Sequence, residues 1–208
     1  MSRMADRELV TVIIPVKPPE PYLNSLISEI RRELNGVPIE ILVQREKGLS
    51  YAVKKGIERS NGKIIVVLDA DGSHSPKYIK PMVELVKSGY DLVLGSRYVK
   101  GGKTHHGFFR RLISRMYCVI ARVMLNLNVK DPMSGFIVMK RELAEKLEIS
   151  NLSFKFGLEL ICKAEKIYEY PILFEKRKEG KSKADFMQGV ETLKLMWRLR
   201  SLIKNKDA

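Results

Sequence analysis

Residues 63–76 read KIIVVLDADGSHSP, and this stretch decides the fold. Ile64, Ile65, Val66, Val67 and Leu68 form an unbroken apolar run rich in β-branched side chains. Such a run suits a strand buried on both faces of a parallel sheet. It ends in two carboxylates, Asp69 and Asp71. Gly72 then relaxes the backbone, and Ser75-Pro76 has the form of an N-cap followed by proline at the first helical position. The segment therefore reads strand, acidic turn, helix. In open α/β sheets, ligands bind beyond the carboxyl ends of the strands. Two carboxylates close together after so apolar a strand are costly unless a cation neutralises them. A hard divalent ion carrying substrate phosphates meets that need, because Mg2+ takes one or two carboxylates and fills its shell with phosphate oxygens and water. A solvated turn, in which aspartate merely caps the chain, is the other reading of the pattern.

Working outward, strand and helix patterns alternate on both sides of this segment. LVTVIIPV (residues 9–16) is a first apolar, β-branched strand, broken by KPPEP. Residues 22–34 carry apolar side chains at helical spacing (Tyr22, Leu23, Leu26, Ile27, Ile30, Leu34), and Asn35-Gly36 stops them. A short strand is expected at 39–43. A helix at 49–60 follows, with Tyr51, Val53 and Ile57 facing inward. After the opening strand come a helix at 78–87 and a strand at 91–94. Strand and helix in regular alternation predict an α/β domain with a mainly parallel sheet and helices on both faces. Beyond it we expect a strand at 136–139, helices at 141–147 and 158–167, a strand at 170–174 and an amphipathic helix at 186–203.

The 208 residues allow one large domain, or a domain with an appendage, and a good core. We divide them into a catalytic domain, 1–183, and a C-terminal amphipathic helix, 184–208. With 45% hydrophobic and 30% charged residues the composition is ordinary, but a formal net charge of +14 is not. It implies anionic partners: nucleic acid, an anionic membrane or phosphorylated substrates. No recognised nucleic-acid motif or set of stacking aromatics accompanies the charge, so no nucleic-acid partner is expected. No apolar stretch reaches the ~18 residues of a spanning helix, and MSRMADRELV lacks the apolar core of a signal peptide. Cys118 and Cys162 read as small core residues in a reducing compartment. With three scattered histidines they offer no zinc spacing.

Residues 92–130 contain no acid but eight Arg and Lys: Arg97, Lys100, Lys103, Arg110, Arg111, Arg115, Arg122 and Lys130. Within them, residues 108–127 predict a helix with an unusually broad apolar face. Its cations gather near the N-terminus, where the helix dipole disfavours them. Both an interfacial membrane helix and a core helix with solvated arginines fit this pattern. Further on, KRKEGKSK (176–183) is a cationic loop able to close over phosphates, or a plain solvated turn.

LDADGSHSP, GSRYVKGG, RRLISR, DPMSGF, FKFGLEL and RKEGKSK occur in this order. Together they resemble the polyprenyl-phosphate (dolichol-phosphate) mannosyltransferase group of the family 2 glycosyltransferases, over nearly the whole catalytic domain. The resemblance implies the GT-A fold: one α/β domain around a mainly parallel sheet, with a small antiparallel piece. It implies that Asp69 and Asp71, with Ala70 between them, hold Mg2+ or Mn2+ and through it the diphosphate of a nucleotide-sugar donor. Ser73 matches a third metal-side ligand. Pro15 and Lys17 lie where the family meets the nucleoside, and Lys155 resembles a donor contact. Arg177 and Lys183 match the phosphate clamp of a loop that orders on donor binding. Arg97 looks like a contact to acceptor or donor phosphates, and Arg111 and Ser114 resemble residues that hold a lipid phosphate.

The implied reaction is an inverting transfer of a hexose, mannose from GDP-mannose in the first instance, to a polyprenyl or dolichyl phosphate. It would take place at the cytoplasmic face of a membrane, with peripheral contact and a separate membrane-anchoring protein as a plausible partner. The leaving diphosphate needs electrostatic stabilisation, which a divalent metal and Arg or Lys supply. A lipid monophosphate, with a second pKa of roughly 6, is already an anionic nucleophile at neutral pH. No strong general base is then required, and Asp71 and Arg97 are the expected catalytic residues. Asp131 reads as a polar organiser or, more simply, a turn cap. The resemblance breaks at the nucleoside end: the usual Asp-Asp-x-Ser turn after the second strand is missing, and KPPEP replaces the usual Asn-Glu segment. Another donor such as UDP-glucose, a polysaccharide acceptor, or an inactive nucleotide-sugar- or membrane-binding relative remain alternatives.

Overall fold

The computed structural model describes residues 8–18, 20–148, 156–176 and 186–204. Strand β1 (Val10–Pro15) pairs in parallel with β2 (Ile39–Gln44) on one side and β3 (Ile64–Val67) on the other. The six-stranded sheet runs β2-β1-β3-β6-β4-β7, with β4 at Leu92–Ser96, β6 at Ile137–Lys140 and β7 at Ile167–Pro171. All neighbouring pairs are parallel except those of β6, which is antiparallel to both β3 and β4. The cause is the route of the chain. It leaves β4 at the carboxyl edge, builds residues 97–136 there, and re-enters the sheet from that edge.

Side-chain alternation divides the strands between two cores, as the sheet period of two requires. Val10, Val12, Ile14, Ile64, Val66 and Leu68 pack with helix α1 (Leu23–Glu33) and helix α3 (Ile79–Lys87). Ile13, Ile65 and Val67 face the other way, onto α2 (Leu49–Arg59), the short α5 (Arg141–Ala144) and α6 (Phe156–Lys163). Helices therefore cover both faces, as the sequence pattern predicts. A third cluster joins α4 (Phe108–Leu125), α6 and α7 (Phe186–Lys204) through Cys118, Ala121, Leu125, Leu158, Leu195, Met196 and Leu199.

Several local expectations are corrected. The helix expected at 158–167 ends at Lys163, and Ile167 instead opens β7. The edge of β4 captures this segment: Asp91 N–H donates to Lys166 O (2.9 Å), the Asp91 carboxylate accepts Lys166 N–H (2.9 Å), and Leu92 aligns with Ile167. The strand expected at 170–174 splits into β7 and β8 (Leu173–Phe174), which pairs with an unforeseen two-residue strand β5 (Lys103–Thr104). The helix expected at 141–147 is one turn. Tyr51, expected to face inward, is exposed, and α2 packs through Ala52, Val53, Gly56 and Ile57 instead.

Gly62 sits where the chain turns from α2 into β3, its N–H on Thr11 Oγ1 (2.9 Å). A Cβ there would lie 2.6 Å from Thr11 N and 2.7 Å from Leu9 O, both backbone atoms of or beside β1. Neither can swing aside. Gly62→Ala is expected to destabilise the chain by about 2 kcal/mol through forced separation of β1 and β3, read as a lower urea midpoint. An unchanged midpoint would show slack at this turn.

Candidate active site at the carboxyl edge of the sheet

The register places Pro15, Val67, Ile137 and Leu94 at one edge. Chain emerging there from β1, β3 and β4 therefore delivers Lys17, Asp69, Asp71 and Arg97 to a single rim, joined by the segment that leads into β6. Gly72, at φ +75°, turns the chain after the carboxylates, a conformation that side chains with a Cβ rarely adopt. Ser73 is fully buried and donates both its N–H (3.0 Å) and its Oγ–H (2.5 Å) to Asp71 Oδ1. It thus fixes the Asp71 carboxylate. Asp69 keeps about a third of its side chain exposed. The Gly135 backbone borders Asp69, and a Cβ there would come 3.4 Å from Asp69 Oδ2.

Beneath the carboxylates lies His74, to which the sequence reading gave no role. It is buried, with Nδ1 3.8 Å from Asp69 Oδ2 and its ring against Phe136 (5.2 Å) and Phe174 (5.0 Å). Burial lowers its pKa, outweighing the attraction of Asp69 and Asp71. The imidazole is thus a neutral floor rather than a third positive group. Its field includes Arg97 and Asp131 as well as both aspartates, so the four charges share one neighbourhood. Phe174 supplies the link, its ring meeting His74 on one side and the Arg97 guanidinium 5.5 Å away. The sequence signal for His74 was its place inside LDADGSHSP, between two small residues that leave its ring to fill the core.

Asp131 is not a simple turn cap. It is completely buried and takes Arg97 Nε (2.7 Å), Arg97 Nη2 (2.7 Å) and the Arg97 backbone N–H (3.0 Å). The Arg97 side chain is itself 9% exposed. Asp131 holds the guanidinium pKa further up than usual, against the opposing effect of burial. Cys118 packs beside the pair, its thiol pushed up to about 12 by burial and by Asp131. It is inert as a nucleophile at neutral pH. Arg97 therefore reaches the rim with its two inner nitrogens already engaged, and Nη1 is the one that makes no hydrogen bond among the described residues.

Ser114 is half-buried and accepts a hydrogen bond from Tyr98 Oη (2.9 Å). Arg111 is exposed, its guanidinium 6.0 Å from the Phe108 ring. At the other end of the rim, Pro15 is half-buried and Lys17 exposed. The residues after β2 are charged and interlocked there: Arg59 Nη1 donates to Gln44 Oε1 (2.8 Å) and Glu46 Oε1 (2.9 Å), and Arg45 lies 3.5 Å from Glu20. Lys155, Arg177 and Lys183 lie outside the described residues. Among the described residues no three or more His, Cys, Asp or Glu converge as a metal cage. A site of two aspartates beside a wide rim fits an ion that takes few protein ligands and completes its shell with phosphate and water.

A mainly parallel sheet with one antiparallel strand, helices on both faces, and paired aspartates at the carboxyl edge is the GT-A fold. The chain superposes on glucosyl-3-phosphoglycerate synthase from Mycobacterium tuberculosis, solved with Mn2+, UDP and glucosyl-3-phosphoglycerate. The TM-score is 0.67 at 17% identity, over 93% of this chain and 79% of that one. The family described as "Glycosyl transferase family 2" matches residues 11–148, and the chain belongs to that family. It is similar to a dolichol-phosphate mannosyltransferase of Pyrococcus furiosus (34% identical, 91% of this chain, 63% of the relative). It is also similar to a polyprenol monophosphomannose synthase of Mycolicibacterium smegmatis (33% identical, 65% of this chain, 56% of the relative). The chain thus spans about three-fifths of the length of these curated relatives.

Asp131→Asn keeps the shape and removes the charge, leaving the Arg97 guanidinium buried without a counter-ion. The expected loss is about 3–5 kcal/mol, measured by denaturant unfolding. A loss below about 1 kcal/mol would mean that water, not Asp131, compensates Arg97.

Proposed function

We propose that the chain is a metal-dependent, inverting glycosyltransferase that moves mannose from GDP-mannose to a polyprenyl or dolichyl phosphate at the cytoplasmic face of a membrane. The observation that carries this reading is the meeting of Asp69 and Asp71 with the Asp131-locked Arg97 around one buried neutral histidine. Family membership and the two named relatives supply the reaction class. Asp69 and Asp71 would hold Mg2+ or Mn2+, with Ser73 orienting Asp71. The ion would neutralise charge on the diphosphate as it leaves.

The chain's own groups then have distinct tasks. Arg97, through Nη1, faces the phosphates. Arg111 and Ser114 hold the acceptor phosphate, and Pro15, Lys17 and Ala70 border the donor. Lys155, Arg177 and Lys183 keep the donor-side roles that the resemblance implies. An acceptor phosphate oxygen attacks the anomeric carbon as its bond to the diphosphate oxygen breaks, so configuration inverts and no proton need be abstracted. A uridine donor is the second reading. It is favoured by the charged, interlocked residues after β2, where the family's Asp-Asp-x-Ser turn is absent, and by the UDP bound in the structural relative.

The membrane contact would be made by α4. Its apolar face is split: Cys118, Ala121 and Leu125 enter the core, while Phe108, Phe109, Leu112, Ile113, Met116, Val119 and Val123 stay exposed. Trp197 of the adjoining α7 is 71% exposed. No described helix is long and apolar enough to cross a membrane. An apolar stripe with Arg111, Arg115 and Arg122 on the same helix suits an anionic bilayer surface.

Two measurements test this reading. In a thermal-shift panel of GDP-, UDP- and dTDP-sugars, GDP-mannose with Mn2+ is expected to stabilise the chain most. Asp71→Ala should abolish that shift, read against the variant's own ligand-free melting temperature, and cut transfer at least about a hundredfold. Stabilisation that survives Asp71→Ala contradicts the assignment. Sedimentation with anionic vesicles at about 50 mM salt, with release near 0.5 M as the attraction is screened, is expected of α4. Failure to bind at any salt contradicts the membrane role.

A further inference from the structure

Tyr98 was given no role by the sequence, yet it stands at the junction of the rim and α4. The Arg97 guanidinium lies 5.0 Å from the centre of its ring and the Arg115 guanidinium 5.3 Å. Its Oη donates to Ser114 Oγ (2.9 Å), and its N–H reaches Ser96 Oγ (3.4 Å). Burial pushes the phenol pKa up, so the ring is neutral and the hydroxyl keeps its proton. One half-buried ring thus touches two cations and orients a hydroxyl.

The two cations differ in their compensation. Arg97 is matched by Asp131 at 2.7 Å. Arg115 is exposed and has no carboxylate within ion-pair distance among the described residues, and 92–130 contains no acid. Two guanidiniums on one neutral ring repel each other, and a ring face recovers only about 0.5–2 kcal/mol per cation. An anion beside Arg115 would offset that repulsion. Because Ser114 already accepts from Tyr98, its own proton is free to turn outward to that anion. A phosphate monoester offers three acceptor oxygens, enough for Ser114 Oγ–H and a guanidinium fork together.

We propose that Tyr98 is a positioning residue for the acceptor, holding Ser114 and Arg115 as one phosphate-binding unit, with Arg115 as a phosphate contact in addition to Arg111. The proposal rests on the acceptor being a prenyl phosphate. It adds that the phosphate is read by a unit tied through Tyr98 to Arg97, so acceptor binding and the donor-side rim are mechanically joined.

The test is calorimetric binding of farnesyl phosphate, with farnesol and inorganic phosphate as comparison ligands, to the wild type, Tyr98→Phe, Ser114→Ala, Arg115→Gln and the Tyr98→Phe/Ser114→Ala double variant. The wild type should bind farnesyl phosphate more tightly than either comparison ligand. Tyr98→Phe keeps the ring and should weaken binding about fivefold, the worth of one hydrogen bond. Arg115→Gln should weaken it more than about tenfold, with farnesol binding unchanged. The double variant should lose no more than Ser114→Ala alone, because the two hydroxyls act through one bond. In turnover assays, Tyr98→Phe should raise the acceptor KM and leave the donor KM unchanged; a merely structural role would move both, along with the melting temperature. If the wild type fails to bind farnesyl phosphate, the acceptor reading falls and this inference with it. If the wild type binds while Tyr98→Phe and Arg115→Gln bind equally well, only the inference is overturned.

Discussion

A buried ion pair organises the rim of this sheet. Arg97 donates two side-chain hydrogen bonds to Asp131 at 2.7 Å, the acceptor fully buried and the donor nearly so. Burying either charge alone would cost several kcal/mol; together, with the Arg97 N–H also on Asp131, they are compensated. The pair ties the end of β4 to the loop that begins β6. Glu169 of β7 extends the tie by accepting the backbone N–H groups of Lys130 (2.6 Å) and Asp131 (2.8 Å). Ser134 closes it with a bond to Gly95 O (2.7 Å). Three strands are therefore fixed relative to one guanidinium, and α4 meets the pair at Cys118, whose Sγ lies 3.6 Å from Asp131 Oδ1.

That constraint explains how a strongly basic chain keeps an orderly site. The carboxylates of Asp69 and Asp71 stand at the rim with a neutral histidine, not a positive one, beneath them. The Arg97 guanidinium, already paired with Asp131, shares the neighbourhood from the side, across the Phe174 ring from His74. Arg111, Arg115 and Arg122 of α4 make no ion pair among the described residues, and their own segment holds no acid. On the proposed reading this surplus meets phosphates carried by the donor, the acceptor and the bilayer, and the net charge of +14 reflects that division of labour.

Much of this was legible in the residues. The β-branched runs of β1 and β3, the two aspartates and the Gly72 turn have local causes, so pattern alone located them. What was missed was decided at long range. Residues 164–167 have a spacing that suits a helix, but β4 claims Ile167 for the sheet through Asp91 and Leu92. Strands of two residues, β5 and β8, carry no periodicity to read. Asp131 followed by Pro132 looks like a turn cap in any sequence; only the fold brings Arg97 onto it. The broad apolar face of α4 gave two readings because it does two things, half entering the core and half remaining at the surface. His74 showed no partner in sequence because its neighbours Phe136 and Phe174 are remote in the chain.

On the proposed reading, a divalent ion joins Asp69 and Asp71 to a nucleotide diphosphate opposite Arg97. Crystals grown with Mn2+ and GDP, with diffraction recorded at the manganese absorption edge, address it directly. The account predicts one strong anomalous peak within about 2.2 Å of a carboxylate oxygen of Asp71, close to the distance expected for a hard divalent ion, with diphosphate oxygens in the same shell and Arg97 Nη1 facing them. Bound GDP with no peak at these aspartates, or with manganese elsewhere on the chain, would contradict it.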